Sequence, residues 1–353
     1  MTTKSKNRLM IGVVLIAVLA IGLSVVSGSN ENVAVKAFND VWVNGNVANA
    51  ADYFAPNYEG YYVGIGEKRG PAGVKESFAV YRNALSNLEY TVEQTIVTED
   101  KTAIVWRATG VHTSELFGIP ATNKNIELQG VTVYKVVNRL IVAGGQYWHT
   151  PALLNQLGQL PADVLDLAEY TAAVQAQVPT GHQLIGIDQV LAQSNRTYEA
   201  TQEENIAVVS EFIACTCGES SCEIDLEQMP TELAGMFGED FVDHATFEQF
   251  QSGVSSNTAN QAVVEVMAAV SHVFPSEIFI DDMFAEGEFV VVQNTLDMTQ
   301  QVTLFGVEPS PDSNGFLSQR IDVMRLVDGK IVEHWAGDDL GIFYHLGVIH
   351  SGG

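Results

Sequence analysis

One sequence ending occurs twice in this chain. Residues 141–158 read IVAGGQYWHTPALLNQLG, and residues 331–347 read IVEHWAGDDLGIFYHLG. Each begins with an apolar, β-like run, continues through a segment that contains tryptophan, and closes with a short apolar helical segment ending in Leu-Gly. A fixed pattern that returns about 190 residues later indicates two copies of one folding unit. Any fold for this chain must therefore be built twice.

Five further blocks match in the same order in the two halves. The pairs are residues 31–35 with 204–208, 53–58 with 236–241, 102–107 with 289–294, 117–119 with 305–307, and 134–137 with 324–327. The 353 residues suffice for two domains of a common size, roughly 130 to 150 residues each. We divide the chain into a leader at 1–29, a first domain at 30–158, a connector at 159–202 and a second domain at 203–350.

The leader has the pattern of a targeting segment. Lys4, Lys6 and Arg8 precede an uncharged apolar run at 9–26, and the small, polar residues 27–29 follow. This pattern is typical of a cleaved signal peptide, and a run of 18 residues also reaches the lower limit for a membrane anchor. Both alternatives place the body outside the cytoplasm, either periplasmic or secreted, or anchored to the inner membrane by this segment.

The balance of charges disfavours anionic partners. The chain has 17 Lys and Arg against 43 Asp and Glu, and its formal net charge is −26. Such a surface repels nucleic-acid phosphates and anionic lipid headgroups. We therefore predict no nucleic-acid partner, and membrane attachment only through the leader.

The three cysteines are clustered in one segment of the second domain. Cys215, Cys217 and Cys222 lie in CTCGESSC, which has no counterpart in the first domain. A structural zinc site needs four ligands, whereas this segment supplies three cysteines and no histidine. In an oxidising compartment we therefore expect no metal here, but a local disulfide of Cys222 with either Cys215 or Cys217.

Within each copy the helix signals come first and the strand signals follow. The first copy has predicted helices at 32–43 and 71–85, and predicted strands at 90–97, 102–112, 125–137 and 140–148. The second has predicted helices at 204–214 and 258–273, and predicted strands at 278–283, 289–298, 317–326 and 330–335. Asp328-Gly329 indicates a type I′ turn, and the connector has one predicted helix at 161–178 before an irregular remainder. Helices followed by antiparallel strands are typical of an α+β fold.

Several segments resemble one protein family. They are DYFAPNYEGYY at 52–62, GVHTSELFGIPAT at 110–122, the hairpin VYKVVNRLIV at 133–142 and DGKIVEHW at 328–335. With these motifs the chain resembles the SnoaL-like polyketide cyclase, or ester cyclase, family of the NTF2-like superfamily. The resemblance implies two cone-shaped domains in tandem, each a curved antiparallel sheet wrapped on helices with an interior for a small hydrophobic molecule. It also implies an intramolecular pseudo-dimer, because NTF2-like domains often pair through the outer faces of their sheets.

The resemblance further implies a catalytic acid near the closing helix. Cyclases of this family need no cofactor, because a carboxyl in an apolar cone abstracts a proton beside a carbonyl and returns one to the product. Two ways of counting from the family pattern place this carboxyl at Asp338 or at Asp339. Alternatively, both aspartates cap the N-terminus of the closing helix.

Three histidines are further candidates for proton transfer. His149 stands at the family's aspartate position in the first copy, His112 lies in the GVHT motif, and His244 follows Asp243 in the second copy. An imidazole can act as a base near neutral pH. The alternative for each is a structural, pocket-wall or surface histidine.

Trp335, Trp148 and Trp106 are candidates for substrate binding, or alternatively for the core. Arg107 either orients a carbonyl group of the substrate or is solvated at a strand edge.

Three functions remain open. The first is cyclisation or isomerisation of a carbonyl compound by general acid/base catalysis without a cofactor. The second is a non-catalytic ligand-binding or scaffold protein, which a cone filled by aromatic side chains would favour. The third is a hydrolase or dehydratase on the same fold. An epoxide hydrolase of this superfamily would use an Asp–Arg–Asp set around one water, and neither copy displays such a set plainly.

Overall fold

The first domain places three of its four helices before its four-stranded antiparallel meander. In this computed structural model the described residues are 32–160, 183–185, 198–216, 235–244, 276–299 and 315–349. The helices of the first domain are α1 (Val33–Ala37), which continues into the π-helical segment Phe38–Val43, α2 (Ala50–Tyr53) after a 3-10 turn Val47–Asn49, α3 (Gly70–Ala84) and α4 (Thr150–Leu157). Its strands are β1 (Phe54–Tyr62), β2 (Gly66–Arg69), β3 (Leu85–Val97), β4 (Lys101–His112), β5 (Asn125–Val137) and β6 (Leu140–Trp148).

The second domain repeats this arrangement. Its described elements are the helices α5 (Ala200–Thr216) and α6 (Gly341–His345), and the strands β8 (Phe237–Asp243), β9 (Ser276–Glu286), β10 (Phe289–Met298), β11 (Phe316–Val327) and β12 (Lys330–Asp338). A short strand, β7 (Gln183–Ile185), lies in the connector, where the sequence predicts irregular structure. Both copies belong to one compact unit that begins at Asn32.

Some predictions lie outside the described residues. These are the leader at 1–29, the helices predicted at 161–178 and 258–273, and Cys217 and Cys222. Cys215 lies within α5. The expected disulfide therefore stays a prediction. Within the described ranges, no helix is both long enough and apolar enough to cross a membrane.

Local chemistry sets the ends of several elements. The Asn32 side chain accepts hydrogen bonds from the backbone N–H groups of Ala34 and Val35, at 2.8 and 3.2 Å, so α1 begins there. Gly158 ends α4 in the left-handed conformation, with φ of 78°. At the β11–β12 turn, Asp328 and Gly329 both have positive φ, 50° and 70°, which confirms the predicted type I′ turn.

All described strands belong to one sheet of twelve strands. The order is β3-β4-β5-β6-β12-β11-β10-β9-β7, and neighbours are antiparallel except for β7 and β9, which are parallel. β1 pairs with β6 and β8 pairs with β12, both in parallel. The strands of the predicted meander are antiparallel to one another, as expected, whereas the sequence does not predict β1 or β8 as strands. The α+β class and the repeated architecture are confirmed.

The interior of the first domain is filled by aromatic side chains. Its largest fully buried residues are Phe38, Trp42, Phe54, Tyr58, Tyr62, Tyr81, Trp106, Tyr134 and Trp148. Leu340, Phe343 and Ile349, from the end of the second domain, belong to the same cluster. The second domain's own interior cluster is mainly aliphatic and is built from α5 and the strands β8 to β12.

The outer faces of the two half-sheets bury a third apolar cluster. It contains Ile96, Ala103, Val105, Val131, Val133 and Tyr147 from the first domain, and Phe284, Val291, Ile321, Val323 and Trp335 from the second. Lys101 and Asp282 form an ion pair between the domains. At the point where β6 meets β12, Trp148 pairs with Asp338. A functional pseudo-dimer of the two domains stays a proposal that these contacts support.

Candidate active site

Polar side chains converge on the inner face of the second domain's sheet. Side chains alternate between the two faces of a strand. Because Ile321 and Val323 lie in the outer cluster, Arg320 and Asp322 face the interior. The inward polar residues of the described strands that contact one another are Asp243, Asn294, Arg320, Asp322, His334 and Asp338.

Five of these residues form an unbroken line of opposite charges, which we call the charged chain. The His334 ring lies between two carboxylates, with Nδ1 3.0 Å from Asp243 Oδ1 and Nε2 2.9 Å from Asp322 Oδ1. Arg320 Nε donates to both Asp322 oxygens, at 2.9 and 3.1 Å. Arg320 Nη1 then reaches Asp338 Oδ1 at 3.5 Å. Each cation thus links two carboxylates, which limits the cost of burying the charges.

The charged chain fixes the protonation of its inner members. Burial opposes the charged form of His334, but the charges of Asp243 and Asp322 and their hydrogen bonds outweigh it and raise the pKa to about 9. Burial likewise opposes the ionised Asp322 carboxylate, but Arg320 and His334 hold its pKa at about 2. At neutral pH His334 is therefore a cation and Asp322 an anion.

Asp338, at the end of the charged chain, differs from the other carboxylates. Burial is the main cause that raises the pKa of its carboxyl to about 6. The negative charges of Asp322 and Asp339 also raise this pKa, whereas the positive charge of Arg320 lowers it. Its side chain is still 19% exposed. A carboxyl that titrates near neutral pH and remains accessible can both accept and donate a proton.

Asp339 has a different environment. Its carboxylate accepts hydrogen bonds from Ser318 Oγ at 2.8 Å and from the backbone N–H groups of Gln319 and Gly341 at 3.0 and 2.8 Å. From the first domain, Tyr61 Oη lies 3.5 Å from Asp339 Oδ2. These contacts tie the carboxylate to the start of the closing helix. Of the two aspartates, Asp338 therefore faces the interior and Asp339 caps α6.

In the first domain the same sheet positions carry no charge. The strand registers place Gly60, Trp106, Gly130, Thr132, Gly144 and Trp148 where the second domain has Asp243, Asn294, Arg320, Asp322, His334 and Asp338. A Cβ atom at Gly130 would overlap the Trp106 ring, and one at Gly144 would overlap the Tyr134 ring. The glycines thus provide the space that the aromatic rings fill, and the first domain has no counterpart of the charged residues.

Two predicted histidines lie in the first domain. His149 is 7% exposed, and its backbone N–H donates to the Gln129 carbonyl at 2.8 Å. Burial lowers its pKa to about 4, and the charges of Asp243, Arg320 and His334 also act on this ring. It is therefore a neutral imidazole beside the second domain's charged chain.

His112 is fully buried in the first domain, away from the charged chain. Its Nδ1 lies 3.1 Å from Thr122 Oγ1 and accepts a hydrogen bond from the Thr122 N–H at 3.3 Å. Burial lowers the pKa of this imidazole. Trp106 and Trp148, both predicted to contact substrate or core, are core residues of the first domain.

The remaining predicted residues lie on outer faces. The His244 ring stacks on Trp335 with a centroid distance of 4.7 Å, and Trp335 belongs to the cluster between the two half-sheets. Arg107 forms ion pairs with Glu93 and Glu127 and is 41% exposed. The structure therefore does not bring His244, Trp335 or Arg107 together with Asp338.

The residue pattern could have revealed more of the site than we predicted. Arg320 and Asp322, like His334 and Asp338, recur with even spacing on strands whose intervening residues are mostly apolar. Even spacing places such residues on one face of a strand. The expectation that neither copy displays an Asp–Arg–Asp set is wrong, because Asp322, Arg320 and Asp338 form one. Across the described ranges, no group of three or more acidic, histidine or cysteine side chains could hold a metal ion.

A curved antiparallel sheet wrapped around helices defines an NTF2-like domain, and this chain contains two of them, of which the second carries charged groups on its inner face. The family model of the SnoaL-like polyketide cyclases matches residues 32–160 and 225–343. The chain belongs to the SnoaL-like polyketide cyclase family.

Solved structures of single-domain length are similar to parts of the chain. One, described as a SnoaL-like polyketide cyclase from Jannaschia sp. CCS1, is 17% identical, covers 36% of this chain and 91% of its own, and has a TM-score of 0.34. Another, described as a polyketide cyclase from Acidithiobacillus ferrooxidans, is 24% identical, covers 38% of this chain and 97% of its own, and has a TM-score of 0.33. Among curated proteins, none matches this chain.

Proposed function

We propose that the second domain catalyses a cofactor-free proton transfer on a small hydrophobic carbonyl compound, and that the first domain is a non-catalytic scaffold. The observation that carries this proposal is Asp338, an inward-facing, partly accessible carboxyl whose pKa is raised to about 6. The first domain has tryptophan at the same position. The aromatic filling of that domain supports its role as a scaffold.

The proposed step begins with ionised Asp338. The carboxylate takes a proton from the carbon beside the substrate carbonyl, and the electron pair of the broken C–H bond moves into an enolate. Arg320, 3.5 Å from Asp338, provides positive charge beside the developing oxyanion. In a cyclisation the enolate carbon attacks a second carbonyl of the substrate, whose π electrons move onto its oxygen, and the protonated carboxyl gives its proton to the alkoxide that forms. In an isomerisation of an unsaturated ketone, the carboxyl instead returns its proton to the distal carbon of the conjugated enolate.

Proton exchange with solvent tests this proposal. The purified protein is incubated with simple methyl ketones in D₂O, and deuterium at the α-carbon is measured by mass spectrometry. We expect exchange above the buffer rate that rises with pH through about 6, as Asp338 ionises. Asp338→Asn should lower it by a factor of about a hundred or more, which is the usual contribution of a general base.

The matched control is Asp297→Asn, which changes an exposed acid on β10 of the same domain. It should exchange at the wild-type rate. Wild-type protein that leaves every ketone unlabelled, or an Asp338→Asn variant as active as the wild type, would contradict the proposal.

A specific observation favours a second candidate, the hydrolysis of an epoxide. The pair of carboxylates bridged by Arg320 matches the Asp–Arg–Asp set expected of epoxide hydrolases of this superfamily. Such an enzyme adds water across the strained ring, so turnover of styrene oxide in ¹⁸O-labelled water should give a labelled diol. Labelled diol without ketone exchange would replace the first proposal with this one.

A further inference from the structure

Asn294 donates to the charged chain and turns its oxygen away from it. Its Nδ2 lies 3.3 Å from Asp322 Oδ2. Asp322 receives hydrogen bonds from Arg320 and is flanked by the His334 ring, so it is an ionised carboxylate that can only accept. An amide oxygen in place of Nδ2 would face that carboxylate as one acceptor against another. The charged chain therefore fixes the orientation of the Asn294 amide.

This orientation leaves a buried acceptor without a partner. Asn294 is 6% exposed, and among the described residues its Oδ1 has no hydrogen-bond partner. Buried polar atoms are nearly always hydrogen-bonded in folded proteins. In the first domain the same sheet position holds Trp106, whose Nε1 donates to Thr132 Oγ1 at 3.0 Å. At this sheet position, only the domain that carries the charged chain has an unpaired buried oxygen.

The position of Asn294 relates it directly to Asp338. Asn294 pairs with Arg320 across β10 and β11, and Arg320 pairs with Asp338 across β11 and β12. The three residues form one row across the inner face of the sheet. Since adjacent strands lie about 4.8 Å apart, the two ends of the row are about 10 Å apart. That distance is close to the length of a substituted aromatic ring.

We propose that Asn294 Oδ1 accepts a hydrogen bond from a hydroxyl group of the substrate, whose carbonyl end lies at Arg320 and Asp338. The ligand class is then a hydroxylated carbonyl compound, with donor and carbonyl at opposite ends. This inference rests on the proposed function for the position of the carbonyl. An ether or ketone oxygen in place of the hydroxyl would present a second acceptor to Oδ1, so the site discriminates against it.

Two matched ketones test the inference with the full-length protein. The probes are para-hydroxyacetophenone and para-methoxyacetophenone, which differ only in the hydrogen-bond donor. Dissociation constants are measured by calorimetry, and deuterium exchange at the methyl ketone is measured in parallel. We expect the wild type to bind the hydroxy ketone about tenfold more tightly or better. Asn294→Leu should reduce this ratio to about one by weakening binding of the hydroxy ketone.

The control is Asn205→Leu, which removes a buried asparagine of the same domain that donates to the Gly287 carbonyl. This variant should keep the wild-type ratio. Asn294→Ala, which deletes the same oxygen without adding bulk, is the second variant if Asn294→Leu does not fold by circular dichroism.

The two readouts separate the inference from the proposed function. A tenfold ratio that depends on Asn294, without any deuterium exchange, supports the inference and contradicts the proposed proton transfer. Deuterium exchange together with equal affinity for both ketones supports the proposed proton transfer and contradicts the inference. Wild-type protein that binds neither ketone, or an Asn294→Leu variant that keeps the ratio, overturns the inference.

Discussion

The change His334→Gln should alter how the stability of the second domain depends on pH. The pKa of His334 is about 9 in the folded protein, against 6.5 for an ordinary histidine. A group whose pKa is raised on folding stabilises the folded state fully below its unfolded pKa, and this stability is lost as the pH rises through the folded pKa. Each unit by which folding raises a pKa corresponds to about 1.36 kcal/mol. The rise in the pKa of His334 from 6.5 to about 9 therefore contributes about 3 kcal/mol to the free energy of unfolding. This contribution to stability should be present at pH 6 and should be lost mostly between pH 7 and 10.

Hydrogen exchange of peptides from β11 and β12 measures this stability, after correction for the intrinsic exchange rate at each pH. The wild type should lose about 3 kcal/mol of protection between pH 7 and 10. His334→Gln leaves Asp243 and Asp322 without the cation between them, so it should be less stable by about 3 kcal/mol or more at pH 7, with a flat profile above it.

His244→Gln is the matched control, since His244 belongs to the same domain but lies outside the charged chain with its side chain 27% exposed. It should keep the wild-type slope. An equal loss of protection from pH 7 to 10 in His334→Gln and the wild type would refute the assignment of that slope to His334.

Three further predictions concern packing, capping and the surface. Gly130→Ala should lower the stability of the first domain by about 1 to 3 kcal/mol in thermal unfolding, because its Cβ would overlap the Trp106 ring. Gly235→Ala should be neutral, because no atom of the described residues lies within 4 Å of the added Cβ. Asp339→Ala should cost about 1 kcal/mol by removing the cap of α6, while ketone exchange continues; loss of exchange without loss of stability would reverse the roles of the two aspartates. Arg107→Ala should change the unfolding free energy by less than about 1 kcal/mol, since the Arg107 side chain is 41% exposed, and a larger effect would show a buried role.

The site was harder to predict than the fold because its residues are distant in sequence. Asp243 and His334 meet although 91 residues separate them, and Asn294 and Asp322 are 28 residues apart. The family pattern indicated both Asp338 and Asp339. Only the structure shows that Asp338 faces the interior and that Asp339 caps α6. The predicted residues His244, Trp335 and Arg107 have suitable chemistry, yet they lie on outer faces of the sheet.

The repeated ending, the α+β class, most strand positions and the type I′ turn at Asp328-Gly329 could be inferred from the residues alone. These features depend on alternation, helical spacing and turn chemistry, which neighbours along the chain determine. The inward or outward direction of each polar side chain, the union of Arg320, Asp322 and Asp338, and the aromatic filling of the first domain became visible only in the folded molecule. They depend on strand register and on which faces of the sheet become buried, and a shift of one residue would turn every one of those side chains to the opposite side.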